Sequence, residues 1–160
     1  MGKTVGPLLK TLLFTIVVPG TVAAYIPSLI LGGFSKPQSG LVSWLGGAMI
    51  AVGALIYFRC AWEFAVRGLG TPAPIAPTQY LVTTALHRYV RNPIYLGVAL
   101  AIVGQGVLYR NLHVVEYAGI MLLTAHTFVV LYEEPTLHRQ FGDSYDEYRI
   151  RVPRWIPKLR

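Results

Sequence analysis

The feature that most constrains this chain is the spacing of its apolar residues. They gather in four blocks, at about residues 11–34, 41–66, 93–109 and 112–132. Each block is long enough to cross a hydrocarbon core at ~1.5 Å of rise per helical residue. A helix satisfies its own backbone donors and acceptors, so blocks of this kind belong in a bilayer rather than around a water-excluded core. Composition agrees, with 54% hydrophobic residues, 13% charged residues and a mean hydropathy of +0.50. The expected fold class is therefore all-α. One domain covers residues 1–160, a polytopic membrane bundle of about four transmembrane helices with a cytoplasmic loop and a C-terminal tail, residues 133–160, carrying interfacial helices.

The formal charge of +7 does not point to nucleic acid, because the basic residues fall beside the apolar blocks, where they would face anionic lipid headgroups. Lys36 and Arg110 are nearly alone in two of the connections, while the N-terminus, the segment 67–91 and the tail are basic. By the positive-inside rule both termini are expected in the cytoplasm. The two long polar segments, 67–92 and 133–160, then emerge on one side and can build one site. The first block resembles a signal peptide superficially, but it runs on through Pro19 and Pro27, which predicts a retained helix kinked where proline removes donors. Cys60 is alone, so neither an intrachain disulfide nor a cysteine-based metal site is available, and no metal is expected.

The polar segments carry the chemistry. Prolines recur in Gly70-Thr-Pro-Ala-Pro-Ile-Ala-Pro77, which excludes a regular helix and suggests an extended connector acting as a lid. Pro93 suits the first turn of the third helix and Asn92 its N-cap, so free amides there, with Arg88 and Arg91 close by, can hold an anion. The fourth block ends at Leu131-Tyr-Glu-Glu-Pro135, and two adjacent carboxylates at a membrane surface require partners. In the second block, Arg59 and Glu63 stand one turn apart, able to neutralise each other or to line a polar cavity. Leu137, Phe141, Tyr145 and Tyr148 recur at helical spacing, and Ser144 and Glu147 have capping-box spacing around Gly142. These mark two short interfacial helices. Gly104-Gln-Gly106 lies inside an apolar helix, with no preceding strand, and is expected to serve close helix packing rather than a nucleotide.

Asn92-Pro-Ile-Tyr-Leu-Gly97 resembles the (His/Asn)-Pro-x-Tyr-x-Gly element of the integral-membrane methyltransferases, which include isoprenylcysteine carboxyl methyltransferases and phosphatidylethanolamine N-methyltransferases. Leu81-Val-Thr-Thr84 is similar to the Leu-Val-Thr-Ser of the carboxyl enzymes, and Leu131-Tyr-Glu-Glu-Pro135 to the matching element of the phospholipid enzymes. Phe141-Gly-x-x-Tyr145-x-x-Tyr148-x-x-x-Val152-Pro-Arg154 resembles the closing signature of the carboxyl enzymes. The resemblance implies S-adenosylmethionine as methyl donor. It implies cofactor contacts from Gln79, Leu81, Val82, Thr83, Thr84, His87, Asn92, Pro93, Ile94, Tyr95, Glu133 and Glu134, with Tyr95 stacking on adenine or facing the sulfonium. It also implies a lipophilic or lipid-tailed acceptor taken from the bilayer at the cytoplasmic face, and membrane lipids as partners. Glu133, Glu134 and His126 are the candidate bases for an amine acceptor; carboxylate and thiol acceptors stay open. His126 itself reads more naturally as a satisfied interior histidine. Two other classes are compatible with the same apolar pattern: a non-catalytic lipid-binding or carrier-type membrane protein, and a membrane reductase with a nicotinamide cofactor.

Overall fold

The computed structural model describes residues 2–34, 36, 37, 39–68 and 78–158; the connector read as a lid, residues 70–77, lies outside them. Among the described residues every regular element is helical. α1 (Gly2–Gly20) passes through a π-turn (Thr21–Tyr25) into α2 (Ile26–Ile30), α3 covers Leu41–Val66 and α4 Pro93–Leu108. α5 (Leu112–Phe128) passes through a second π-turn (Val129–Glu133) into α6 (Glu134–Phe141), and α7 (Asp143–Arg151) follows. Three continuous stretches, Leu9–Ile30, Leu41–Val66 and Leu112–Phe141, are long and apolar enough to span a membrane, with the shorter apolar α4 beside them. This is a roughly four-helix membrane bundle. Its outside is the apolar surface expected against lipid: Leu13, Trp44, Leu55, Phe58, Trp62 and Leu123 are all exposed.

Both spans that meet a proline run through it by one device. The fourth does not stop at residue 132 but continues to Phe141, and the first runs on through Pro27 as the retained helix expected. In each, a π-turn ends two residues before a proline, at Tyr25 before Pro27 and at Glu133 before Pro135. Proline donates no hydrogen bond and crowds the carbonyl four residues earlier; widening the preceding turn absorbs both defects. Accordingly Ile26 N–H bonds the Thr21 carbonyl, and Glu134 N–H the Val129 carbonyl, five residues back. The first turn leaves the Val22 and Ala23 carbonyls free. Tyr117 Oη donates to Val22 O at 3.0 Å and Gln105 Nε2 to Ala23 O at 2.7 Å, so side chains of α4 and α5 complete the backbone of the first span, as a bilayer demands.

α3 and α4 pack antiparallel through paired glycines. Gly46 and Gly53 on α3 face Gly104 and Gly97 on α4, both pairs seven residues apart, two helical turns. A Cβ on Gly53 would fall 2.5 Å from the Gly97 carbonyl oxygen, and one on Gly104 2.8 Å from that of Gly46. Backbone therefore meets backbone, the close approach that small residues allow between membrane helices, and Gly104 serves the close packing expected of Gly104-Gln-Gly106. α4 and α5 form the antiparallel hairpin, with Asn111 Oδ1 capping Val114 N–H at 3.2 Å. Ile102, Val114 and Ala118 bury the centre of this contact.

Beyond the spans, Gly142 (φ 51) breaks α6 from α7 in a conformation that favours glycine. α7 begins at Asp143 with no side-chain cap, so Ser144 and Glu147 stand within the helix and form no capping box. The aromatic spacing does what it promised: Tyr145, Tyr148 and Val152 form a buried cluster with Leu81, Leu137 and Phe141. This places the polar connector and the tail on the same end of the bundle.

Candidate functional site

At that end a cleft with about 490 Å³ of empty volume, mouth included, opens between the connector, the start of α4, the α5–α6 junction and the tail. Leu81, Val82, His87, Asn92, Glu133 and Glu134 line it, all expected from sequence. Phe64, Thr78, Arg91, Val129, Leu137, Tyr145 and Tyr148 complete the wall.

The paired carboxylates divide their work. Glu134 accepts from Arg91 Nη1 at 2.8 Å and from Arg154 Nε and Nη2 at 2.7 and 2.9 Å. Its partners are thus two arginines, one from the foot of α4 and one from the tail. Glu133 has a single partner among the described residues, the Tyr95 hydroxyl, which donates to Oε2 at 2.9 Å. Tyr95 is spent on orienting Glu133, with its ring edge toward Trp155 at 6.2 Å between centroids. One carboxylate is neutralised; the other faces the cleft without a cation.

The tail is strapped across the foot of α4. Arg91 N–H bonds Pro153 O at 2.9 Å, and Lys158 N–H bonds Tyr89 O at 3.0 Å. Asn92 stands at the N-cap position, yet its side chain makes no cap bond: Nδ2 donates to Arg154 O at 3.1 Å. Asn92 therefore holds the tail instead of the helix start. Pro93 occupies the first turn as expected.

His87 is carried by a 3₁₀ turn, Ala85–Arg88, that follows Thr84. His87 is 4% exposed. Phe64 meets the ring edge-on at 5.2 Å, and Tyr148 Oη donates to the His87 carbonyl at 2.7 Å. Burial pushes its imidazole pKa down to about 4, with nearby Glu63 opposing only in part, so the ring is neutral at physiological pH. Among the described residues, His87 Nδ1 and Arg91 Nε are buried and have no hydrogen-bond partner. Two polar atoms in one cleft wall are unspent, a costly arrangement unless something binds there.

Other expected residues stand aside. Gln79 is exposed and gives its backbone N–H to Gly68 O at 2.7 Å. Thr84 Oγ1 donates to Glu63 Oε2 at 2.7 Å, and Thr83 and Ile94 are half-buried outside the cleft lining. Arg59 and Glu63 do neutralise each other, at 2.5 Å, with Arg67 joining at 3.0 Å. His126 is not interior: it is exposed on the flank of α5 and accepts from Trp155 Nε1 at 3.0 Å. It does not line the cleft, because its turn of α5 points outward from the wall that Val129 and Glu133 form.

A family profile described as phospholipid methyltransferase matches residues 41–144, from the start of α3 to the start of α7. The chain belongs to that family. It is also similar to the protein-S-isoprenylcysteine O-methyltransferase of Schizosaccharomyces pombe, at 35% identity over 79 residues. That match covers 49% of this chain and 34% of the relative, so the chain spans well under two thirds of the length of the curated relative it matches. The family's extent takes in the glycine-paired helices, the foot of α4 and both glutamates. Arg154 falls beyond residue 144, and the closing signature was the sequence signal that could have found it.

Proposed function

We propose that this membrane protein transfers a methyl group from S-adenosylmethionine to a lipophilic or lipid-tailed acceptor, at the bilayer face that carries its basic segments, the cytoplasmic one by the positive-inside rule. The observation that carries the proposal is the set of unspent groups in one cleft. Glu133 offers a carboxylate with no cation, Arg91 a buried N–H with no acceptor, and His87 a neutral ring nitrogen with no partner. A ligand with an ammonium, a carboxylate and a neutral heteroaromatic edge would satisfy all three. S-adenosylmethionine has those parts, and when bound it supplies an activated methyl on a sulfonium. The apolar wall of Phe64, Val82, Val129 and Leu137 excludes water from the same space.

Within this reading the chain's own residues position and desolvate. Glu133, held by Tyr95, takes the cationic amine, and Arg91 the carboxylate while its Nη1 stays on Glu134. Glu134 leaves the sequence-based set of ligand contacts and becomes the post that fixes Arg91 and Arg154. Of the candidate bases, Glu133 alone combines a place in the cleft with a carboxylate free of arginine. A purely lipid-binding protein would have no use for these unspent groups. The fission yeast relative is named for methylating isoprenylcysteine; for this chain amine, carboxylate and thiol acceptors are separated by incubating membranes with radiolabelled donor and identifying the labelled product.

Isothermal calorimetry of donor binding on detergent-purified protein tests the proposal. Glu133→Gln is expected to weaken binding by about tenfold or more, the worth of one charge-assisted hydrogen bond, and Tyr95→Ala to weaken it as well. No detectable binding by the intact protein would sink the idea.

A further inference from the structure

Behind the cleft wall that Phe64 forms, on the exposed edge of α3, two arginines share one buried carboxylate. The Glu63 side chain is 3% exposed and both its oxygens are bonded: Oε1 takes Arg59 Nη1 at 2.5 Å, and Oε2 takes Arg67 Nε at 3.0 Å and Thr84 Oγ1 at 2.7 Å. The Arg59 and Arg67 side chains are 49% and 57% exposed. Two positive charges against one negative leave one unit of positive charge.

Their depth is fixed by the helix itself. Trp44 and Trp62 are both exposed on α3, and eighteen residues separate them, or ~27 Å of helix. That is close to the ~30 Å of a hydrocarbon core, so the two indoles mark its two boundaries, where tryptophan concentrates. Arg59 lies three residues inside Trp62 and Arg67 five outside it, ~5 Å below and ~8 Å above that boundary. Exposed Phe58 continues the apolar surface beneath them. An arginine that close to the core faces lipid at a cost unless it reaches the headgroup layer or an anion comes to it.

We propose that Arg59 and Arg67, bridged by Glu63, form a binding site for the phosphate of an anionic membrane lipid, with Phe58 and Trp62 against its acyl chains. The planar guanidiniums offer paired N–H groups that match phosphate oxygens. Glu63 fixes their spacing, and Thr84 fixes Glu63.

Native mass spectrometry of the full chain, loaded with equal amounts of dioleoylphosphatidylglycerol and dioleoylglycerol, reads the site. The wild type should retain the phosphate-bearing lipid over the neutral one by roughly fivefold, the ratio given by one residual charge at the surface. Arg67→Gln and Arg59→Gln each leave Glu63 one guanidinium and Thr84, so the fold keeps a neutral pair, and each should bring the ratio to near one. Arg110→Gln, at the opposite end of the bundle, should leave it unchanged. A wild-type ratio near one, or an undiminished ratio in both variants, overturns the proposal. Displacement of the lipid by millimolar inorganic phosphate also overturns it, in favour of a site for the free ion. Donor binding plays no part in the measurement, so its outcome is independent of the methyl-transfer reading.

Discussion

Replacing Glu134 by Gln removes the charge but keeps nearly the same shape, and it should destabilise the protein far more than the same change at Glu133. The Glu134 carboxylate receives three N–H bonds from two guanidiniums; the Glu134 and Arg91 side chains are each only 12% exposed, and Arg154 is about a third exposed. Breaking a buried pair by neutralising one member typically costs ~3–5 kcal/mol, since the other charge stays behind. Partial exposure of Arg154 screens its share, and the Gln carbonyl still accepts one bond, which brings the expectation to about 3 kcal/mol. For a chain of 160 residues that is roughly 6–12 °C in Tm at 2–4 °C per kcal/mol. Glu133→Gln keeps an acceptor for the Tyr95 hydroxyl and strands no cation, so its cost should stay under ~1 kcal/mol. Tryptophan fluorescence during thermal unfolding in detergent follows both variants, and Trp155 beside Arg154 makes the tail visible in the signal. Equal shifts in the two variants, or a fall of less than about 3 °C for Glu134→Gln, would refute the division of labour between the carboxylates.

Further outcomes follow from the packing and the buried ring. His87 has a folded pKa of about 4 against ~6.5 unfolded; stability from keeping it neutral is complete above pH ~6.5 and drains as pH falls toward 4, by about 3 kcal/mol in all, so a Tm series should flatten over that window in His87→Phe. Gly53→Ala drives a Cβ to 2.5 Å from the Gly97 oxygen and should cost ~1–3 kcal/mol, whereas Gly47→Ala meets nothing within 4 Å and should be neutral or stabilising by up to ~1 kcal/mol; comparable melting of the two would count against the glycine-paired contact. Gln105→Leu strands the Ala23 carbonyl at the first π-turn and should cost about 1 kcal/mol, visible as faster amide exchange of residues 21–26 than in the wild type.

Much of this was legible in the sequence because the bilayer is a severe solvent. Block length alone located α3 and the foot of α4, and the short link around Arg110 and Asn111 forced the hairpin. The fourth block ends at residue 132 because its apolar residues end there, yet one widened turn carries the helix on through Pro135, so Glu133 and Glu134 point from a continuous helix rather than from its frayed end. In the site, neighbours in sequence were found and neighbours in space were not. Glu133 and Glu134 drew attention by adjacency, but nothing local says that one meets Tyr95 and the other Arg91 and Arg154. The Asn92 side chain went to the tail and not to its own helix, and His126 turned outward, since a helical residue's facing depends on a bend set by the π-turn beyond it.

The strap across α4 also has a consequence in time. Residues 91, 134 and 154 meet at one carboxylate, with Asn92 gripping the backbone at Arg154, so the cleft wall is assembled from segments synthesised far apart. A nascent chain that has inserted all its spans but not yet released residues 152–158 has its glutamates in the membrane surface and no finished pocket around them. The pocket is complete only when synthesis has passed the strap, and a ribosome stalled before it leaves an inserted bundle with an unfinished cleft wall.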